Sequence, residues 1–356
     1  WALFGIFAGI GLQNKHSMVF FGFALVVGLV LTVQRKQFAS KWFWIGGVLA
    51  GILFLPNVLW QMTHEWATLK FMQNAQQWKN APMSPMEFIS AQVLFQHPVT
   101  FPLWAAGVLA FFFHASLRKY RFFGFAFLVL LILFIVQRGK PYYLSPVYPL
   151  VLSAGAIAFE QFINRRHWEW LSHTYVALLI IGGLALLPAF MPVLPVETYI
   201  RYAETMGLQP PKMERHGDTA LPQVFADRFG WKEMVAEVAK AYNSLTPEEK
   251  EVTAIYAQNY GEAGAVDFFG IEYGLPKAIS GHNSYWHWGL RGYSGEIVII
   301  IGGEAEDHAQ TYESVERFAI HQHQYAMPYE TDLSIFICKK PKVPLTNLWV
   351  RVKHYI

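Results

Sequence analysis

The sequence predicts a polytopic α-helical membrane domain over residues 1–191, followed by a small extracytoplasmic α/β domain over residues 192–356. Three observations lead to this prediction. Long apolar runs fill the chain up to Met191, and Lys and Arg cluster in every second loop between them. After Met191 the composition becomes that of an ordinary globular domain. Overall, 54% of the residues are hydrophobic and only 15% are charged, which is typical of membrane proteins.

Six apolar runs precede Met191, and most of them approach the roughly 20 residues that a membrane-spanning helix needs. They cover residues 18–33, 42–60, 101–117, 122–136, 143–162 and 175–190. A shorter apolar run, 1–12, starts at the first residue without an initiator Met or a signal peptide. We therefore expect it to be the end of a longer helix, with further membrane helices upstream. Prolines in the polar and aromatic stretch 61–98 argue against one continuous helix there.

The basic residues of the short loops predict the topology. They are Arg35, Lys36 and Lys41 in one loop, Arg118, Lys119 and Arg121 in a second, and Arg165 and Arg166 in a third. Short loops rich in Lys and Arg stay in the cytoplasm. The intervening loops and residues 192–356 are then expected outside the cytoplasm. The net charge of +3 lies largely in these loops, so it needs no nucleic-acid partner.

Cysteine usage bears on the compartment. Cys338 is the only cysteine, so no disulfide can form within this sequence. An extracytoplasmic domain so poor in cysteine fits a bacterial envelope. We therefore expect a multi-pass protein of the bacterial inner (plasma) membrane.

Residues 192–356 alternate between strand and helix patterns. Strands are predicted at 252–257, 296–301 and 333–338, and helices at 229–242, 246–249, 262–269 and 309–318. The continuous β-branched run at 296–301 is typical of a buried parallel strand. This alternation favours a three-layer α/β arrangement.

The outer turn between two apolar runs holds the first candidate site. Arg138 and Lys140 flank Gly139 and are followed by Tyr142 and Tyr143. Arg and Lys together can clamp a phosphate, and the tyrosines can hydrogen-bond it or line a sugar pocket. The alternative is simple anchoring at the membrane interface, where aromatic and basic side chains are common.

Lys15 is the second candidate, because it lies between two apolar runs with little room for a loop. A charge in such a place is a functional hypothesis by default, and the alternative is a lysine that extends to the lipid headgroups.

Weaker candidates for substrate contact lie in other polar segments. His64 and Glu65 open the long outer loop, where a solvated loop is the simpler interpretation. Asn259 and Glu262 follow a predicted strand and begin a helix, whose backbone amides favour anions. His282 and Asn283 belong to a polar and aromatic cluster of the kind that stacks on sugars. No zinc spacing, nucleophile elbow or phosphate-binding kinase loop is present.

Two segments resemble a known family. The run Gly9-Ile10-Gly11-Leu12-Gln13-Asn14-Lys15-His16-Ser17 resembles the Gly-Leu-x-x-Lys break of bacterial membrane glycosyltransferases of the GT-C superfamily. The branch concerned is related to protein O-mannosyltransferases and to the aminoarabinose transferase of lipid A. Residues 138–149 are similar to the Arg-x-x-Tyr-Tyr-Leu-x-Pro-x-Tyr-Pro segment of that branch, and 259–264 with 280–283 look like the outer domain of one bacterial subgroup.

The resemblance implies a sugar donor linked to a polyprenyl phosphate, and transfer to an envelope acceptor (lipid, glycan or protein) on the outer face of the membrane. By analogy, Lys15, Arg138 and Lys140 contact the lipid phosphate, with Tyr142 and Tyr143 beside it. The catalytic carboxylate of the family lies in the first outer loop, which is expected upstream of residue 1, so the sequence as given is expected to be inactive alone. Some members use a divalent metal ion, but no ligand set in this sequence demands one.

Two other functions stay open at this point. A transporter or flippase of lipid-linked sugars could use the same basic turn and aromatic loop, although internal repeats and ionisable residues at the bilayer midplane are not evident. A membrane-anchored sensor could bind a ligand through its outer domain, but it would leave Lys15 and the polar outer loop without a role.

Overall fold

A computed structural model describes residues 1–208, 214–215, 217 and 219–356. These residues form two compact units. We call them the helical unit, made of residues 1–65 and 82–193, and the sheet unit, made of residues 66–81 and 194–356. The predicted boundary at 191/192 lies close to the second junction, whereas the inclusion of 66–81 in the sheet unit was not predicted.

The helical unit is built from apolar helices joined by short 3₁₀ segments. Its helices are α1 (Ala2–Asn14), α2 (Met18–Val30), α3 (Lys41–Thr63), α5 (Pro85–Phe95), α6 (Phe101–Phe113), α7 (Arg121–Val136), α8 (Tyr148–Arg166) and α9 (Glu169–Phe190). The 3₁₀ segments are Val33–Ala39, Pro98–Thr100, Ala115–Tyr120 and Pro141–Val147. Helix α4 (Ala67–Asn74) belongs to the sheet unit.

The prediction of several long apolar helices is confirmed. Among the described residues, four helical stretches are long and apolar enough to cross a membrane, and up to six if two bent helix pairs each count as one span. The bent pairs are Met18–Val30 with Val33–Ala39, and Pro85–Phe95 with Pro98–Phe113. The apolar helix α1, with 13 residues, is shorter than these spans.

Glycines bring these helices into close contact. A Cβ built on Gly5 of α1 would overlap the backbone of Gly46 in α3, and one on Gly107 of α6 would overlap the backbone of α8. A Cβ on Gly28 of α2 would likewise overlap the carbonyl of Phe122 at the start of α7. Small residues at helix crossings are the usual means of tight packing between membrane helices, because no hydrophobic effect drives association in lipid.

The three predicted cytoplasmic loops lie at one end of the helical unit. Gln34 Nε2 donates to the carbonyl oxygen of Lys119 at 3.2 Å, which joins the first two basic loops. His114 Nε2 lies 2.7 Å from Gln161 Oε1, close to the third loop at the end of α8. This placement agrees with the alternating pattern of basic residues.

The sheet unit contains short helices around a small mixed sheet. The helices are α4 (Ala67–Asn74), α10 (Val196–Thr205), α11 (Gln223–Ala226), α12 (Trp231–Asn243), α13 (Pro247–Glu251), α14 (Tyr260–Phe269), α15 (Ser284–His287), α16 (Ala305–Thr311) and α17 (Leu345–Trp349). The strands are β1 (Thr253–Ala257), β2 (Ile297–Ile301), β3 (Tyr312–His321) and β4 (Leu333–Pro341).

The described strands are ordered β1-β2-β4-β3, with β1 and β2 parallel and the other pairs antiparallel. Alternate residues of the central strands enter two different apolar clusters. Ile299 packs with Val235 of α12 and Val266 of α14, whereas Ile300 packs with Leu345 of α17. Both faces of β2 are therefore covered, as its unbroken β-branched sequence predicted.

The prediction of a helix at 309–318 is wrong. Helix α16 ends at Thr311, and Tyr312–His321 forms the edge strand β3. A bulge between Arg317 and Ala319 interrupts the two-residue alternation of this strand. The resulting spacing of apolar residues imitates a helix, and the exposed charged residues between them protect the sheet edge.

Residues 66–81 are held within the sheet unit by polar contacts. Asn74 Nδ2 donates to the carbonyl oxygen of Tyr355 at 2.7 Å. The backbone N–H of Arg215 donates to the carbonyl of Lys79 at 2.8 Å, and Lys79 Nζ lies 3.8 Å from Glu214. This stretch contains α4 and a π-helical turn at Ala75–Lys79, so it is separate from α5, as the prolines predicted.

Candidate functional site

Lys15 lies at the break between α1 and α2, and its backbone is extended. The residues beside it are fixed to α3: Gln13 Nε2 donates to the carbonyl of Leu53 at 2.6 Å, and His16 Nε2 lies 2.9 Å from Asn57 Oδ1. The break therefore has a defined position, and the Lys15 side chain is exposed.

The turn that carries Arg138 and Lys140 begins with a Schellman cap at the end of α7. Gly139 N–H donates to the carbonyl of Phe134, and Arg138 N–H donates to that of Ile135. Arg138 is the left-handed residue of this cap, with φ of 51°. A non-glycine residue here is energetically unfavourable, so the cap holds an exposed arginine where glycine is the usual residue.

The structure brings Lys15 to the two tyrosines of this turn. Its ammonium nitrogen lies 5.5 Å from the ring centroid of Tyr142 and 5.5 Å from that of Tyr143. Both distances are within the range of cation–π attraction. Two segments separated by more than 120 residues therefore meet, and they place Lys15 beside the turn that carries Arg138 and Lys140.

Helix α5 supports this turn through side chains that the sequence analysis did not single out. Gln92 is 2% exposed, and its Nε2 donates to the carbonyl of Pro141 at 3.1 Å. Gln96, one helical turn later, donates to Ser145 Oγ at 3.0 Å. The sequence could have indicated this role, because two glutamines four residues apart in an apolar helix lie on the same helix face.

His64 and Glu65 lie at the end of α3. The His64 ring stacks on Trp60 at 4.2 Å between centroids, and its Nδ1 lies 2.8 Å from the carbonyl of Trp60. Glu65 has a φ of 56° and marks the junction between the two units. The His64 contacts are those of a helix terminus.

In the sheet unit, the start of α14 is occupied by side chains of the chain itself. Asn259 Oδ1 accepts hydrogen bonds from the N–H groups of Gly261 and Glu262, and the N–H of Tyr260 donates to His282 Nδ1 at 3.3 Å. The backbone N–H groups at this helix start, which were predicted to favour an anion, therefore already donate to side chains of the chain.

Glu262 is 2% exposed and accepts hydrogen bonds with both carboxylate oxygens. Gln258 N–H donates to one oxygen at 2.9 Å and Asn259 Nδ2 donates to the other at 2.7 Å. Burial raises the pKa of Glu262 to about 7, although hydrogen bonding from the backbone of Gln258 and of Asn259 acts in the opposite direction. The carboxylate therefore holds the side chain of Asn259, the N-cap residue of α14.

His282 and Asn283 hold the last residues of the sequence. His282 Nε2 donates to the carbonyl of Ile356 at 2.8 Å, and Asn283 Nδ2 donates to the same oxygen at 3.1 Å. Burial lowers the pKa of His282 to about 4. Both residues therefore have structural contacts in this arrangement.

The described residues contain no group of three or more His, Cys, Asp or Glu side chains that could hold a metal ion.

Comparison with known proteins gives one partial match to a family. Residues 1–60 match the model of the dolichyl-phosphate-mannose-protein mannosyltransferase family. The matched segment contains α1, the break with Lys15, α2 and most of α3, and it does not reach the turn at 138–143. No curated protein and no solved structure gives a significant match. The match shows that residues 1–60 are similar to a membrane mannosyltransferase family, and the apolar helices indicate a multi-pass membrane protein.

Proposed function

We propose that this protein takes part in transferring a sugar from a polyprenyl-phosphate-linked donor to an envelope acceptor on the outer face of a bacterial inner membrane. The contact of Lys15 with Tyr142 and Tyr143 is the observation that carries the proposal. It joins the segment matched by the mannosyltransferase family to a second basic segment. The proposed donor-phosphate site is Lys15, Arg138, Lys140 and the two tyrosines.

The chemistry explains why cations are needed there. In a direct displacement, an acceptor hydroxyl oxygen forms a bond to the anomeric carbon while the bond from that carbon to the lipid phosphate breaks. The hydroxyl proton passes to a base that we do not assign, and the phosphate leaves with the bonding electrons. Positive groups at its oxygens stabilise the charge that grows in the transition state.

The first prediction concerns Arg138 and Lys140. A hydrogen bond to a charged group contributes about 1.5–3 kcal/mol, so Arg138→Ala and Lys140→Ala should each weaken binding of a polyprenyl phosphate roughly tenfold to a hundredfold. Arg138→Lys should lose less, because it keeps the charge and loses only the bidentate fork. Binding is measured with the full chain in lipid nanodiscs, using the corresponding polyprenol without phosphate as the reference ligand.

Arg118→Ala and Lys119→Ala are matched controls, because they remove the same charges at the opposite, basic end of the helical unit. They should leave binding unchanged. If the chain binds the phosphate and the alcohol equally well, or if the Arg138 and Lys140 variants bind like the parent, the turn is an interfacial anchor. The proposed site then fails.

A further inference from the structure

The 3₁₀ segment Pro141–Val147 connects the basic turn to α8, and two of its seven residues are prolines. Pro141 and Pro146 have no backbone N–H to donate. A 3₁₀ helix also has poorer hydrogen-bond geometry than an α-helix, and seven residues is long for one. Contacts from outside the segment can therefore contribute to its shape.

Gln92 of α5 binds both ends of this segment. Its Nε2 donates to the carbonyl of Pro141, at the first position of the segment. Its Oε1 accepts a hydrogen bond at 3.2 Å from the hydroxyl of Tyr148, the residue that follows the segment. One amide thus sets the separation between the beginning and the end of the 3₁₀ segment.

Tyr148 and the helix that carries Gln92 are both well packed. Tyr148 is 1% exposed, and its ring lies edge-on to those of Trp104 and Phe127. Helix α5 begins with a capping box formed by Ser84 and Glu87, and Phe88 packs in the apolar core of the helical unit. The amide of Gln92 is therefore a rigid connection between two well-packed elements.

Pro141 lies between the residues that the proposed function uses. Lys140 precedes it and Tyr142 and Tyr143 follow it, so a displacement of the Pro141 carbonyl moves the cation and both rings together. We propose that Gln92 is the positioning residue of the donor-phosphate site, acting through Pro141 and Tyr148, with Gln96 as a second support through Ser145. This inference rests on the proposed function, since it assigns to Gln92 the geometry of that site.

The experiment measures binding of polyprenyl phosphate and of polyprenol to the full chain in nanodiscs. Gln92→Leu keeps the side-chain volume but loses the donor and the acceptor, and it should weaken binding of the phosphate about tenfold. Binding of the alcohol should be unchanged. Gln161→Leu is the matched control, because it removes a glutamine bonded to His114 at the opposite end of the helical unit.

Gln92→Glu gives an independent measurement. A protonated acid can still donate to the Pro141 carbonyl, whereas a carboxylate can only repel it. Its affinity for the phosphate, divided by that of the parent at the same pH, should therefore fall as the pH rises. Tyr148→Phe leaves the bond to Pro141 intact and should have a smaller effect than Gln92→Leu.

The inference is overturned if Gln92→Leu binds the phosphate like the parent, or if it loses the alcohol to the same extent. If Gln92→Leu does not fold, a flat pH ratio for Gln92→Glu overturns it. These outcomes are distinct from failure of the proposed function, in which the parent chain itself does not prefer the phosphate. In that case the role of Gln92 falls as well.

Discussion

The ammonium group of Lys15 lies near two aromatic rings, those of Tyr142 and Tyr143. Each tyrosine could hold the lysine with its ring face or contact the ligand with its hydroxyl group, and substitutions distinguish these two roles. If the ring faces hold the lysine, Tyr142→Phe and Tyr143→Phe should keep the affinity for polyprenyl phosphate within about threefold of the parent. Tyr143→Leu removes the ring face and should weaken binding by about threefold to thirtyfold, since a cation–π contact contributes about 0.5–2 kcal/mol. The binding measurement in nanodiscs decides between these roles. Equal losses for the Phe and Leu variants at position 143 would instead show that the hydroxyl contacts the ligand.

His282 makes the stability of the sheet unit depend on pH. Its neutral ring accepts from Tyr260 and donates to Ile356, and burial lowers its folded-state pKa from 6.5 to about 4. The unfolded chain therefore binds the proton more tightly. The free energy of unfolding is therefore highest above pH 6.5 and falls as the pH drops from 6.5 to 4, by at most about 3 kcal/mol.

Unfolding of the sheet unit can be followed through Cys338, which is fully buried in β4. Burial raises the pKa of its thiol to about 12. We expect the urea concentration that exposes this thiol to a pyridyl disulfide reagent to fall between pH 6.5 and pH 4. In His282→Gln this dependence should be weaker. Burial raises the pKa of Glu262 and of Glu330 to about 7 and about 8, so these groups act in the opposite direction between pH 4.5 and pH 8. An unchanged pH dependence in His282→Gln would refute the assignment.

At the scale of single elements, the contact between α1 and α3 offers a direct comparison of neighbouring glycines. A Cβ on Gly46 would overlap the backbone of Trp1, whereas one on Gly47 would meet nothing within 4 Å. Gly46→Leu should therefore destabilise the helical unit by about 1–3 kcal/mol through overpacking. Gly47→Leu gains the same helix propensity and should be neutral or slightly stabilising. The thermal unfolding temperature in detergent distinguishes them, and equal values would mean that the helices do not pack as described.

The elements also show what sequence patterns can and cannot predict. The run 296–301 predicted a buried strand because β-branched residues occupy all its positions after Glu296. The structure has β2 at 297–301. The strand β3 was missed because its bulge hides the alternation and its pairing with β4 comes from tertiary contact. Lys15 and the turn at 138–143 stood out by charge in apolar surroundings. Gln92 did not, because a neutral amide becomes informative only when its two partners are known.

At the scale of the whole molecule, the orientation in the membrane can be tested with single cysteines. Gln77 and Ser116 are both exposed. Cys338 is buried, so it should not react with a thiol reagent in the folded protein. Gln77→Cys should react with an impermeant thiol reagent in intact cells, whereas Ser116→Cys, in a basic loop, should react only after the membrane is opened. The parent with Cys338 alone is the control. Reversed or equal labelling would contradict the orientation.

The inclusion of residues 66–81 in the sheet unit has a consequence for biosynthesis. These residues are translated before 82–193, a stretch of 112 residues, and their partners follow only from 194 onward. At about 5–20 residues per second, the segment waits roughly 6–20 s for the first of those partners. The sheet unit therefore cannot be completed until the ribosome has made helices α5 to α9. Its assembly comes last, and a chain interrupted among those helices leaves residues 66–81 without their partners in the sheet unit.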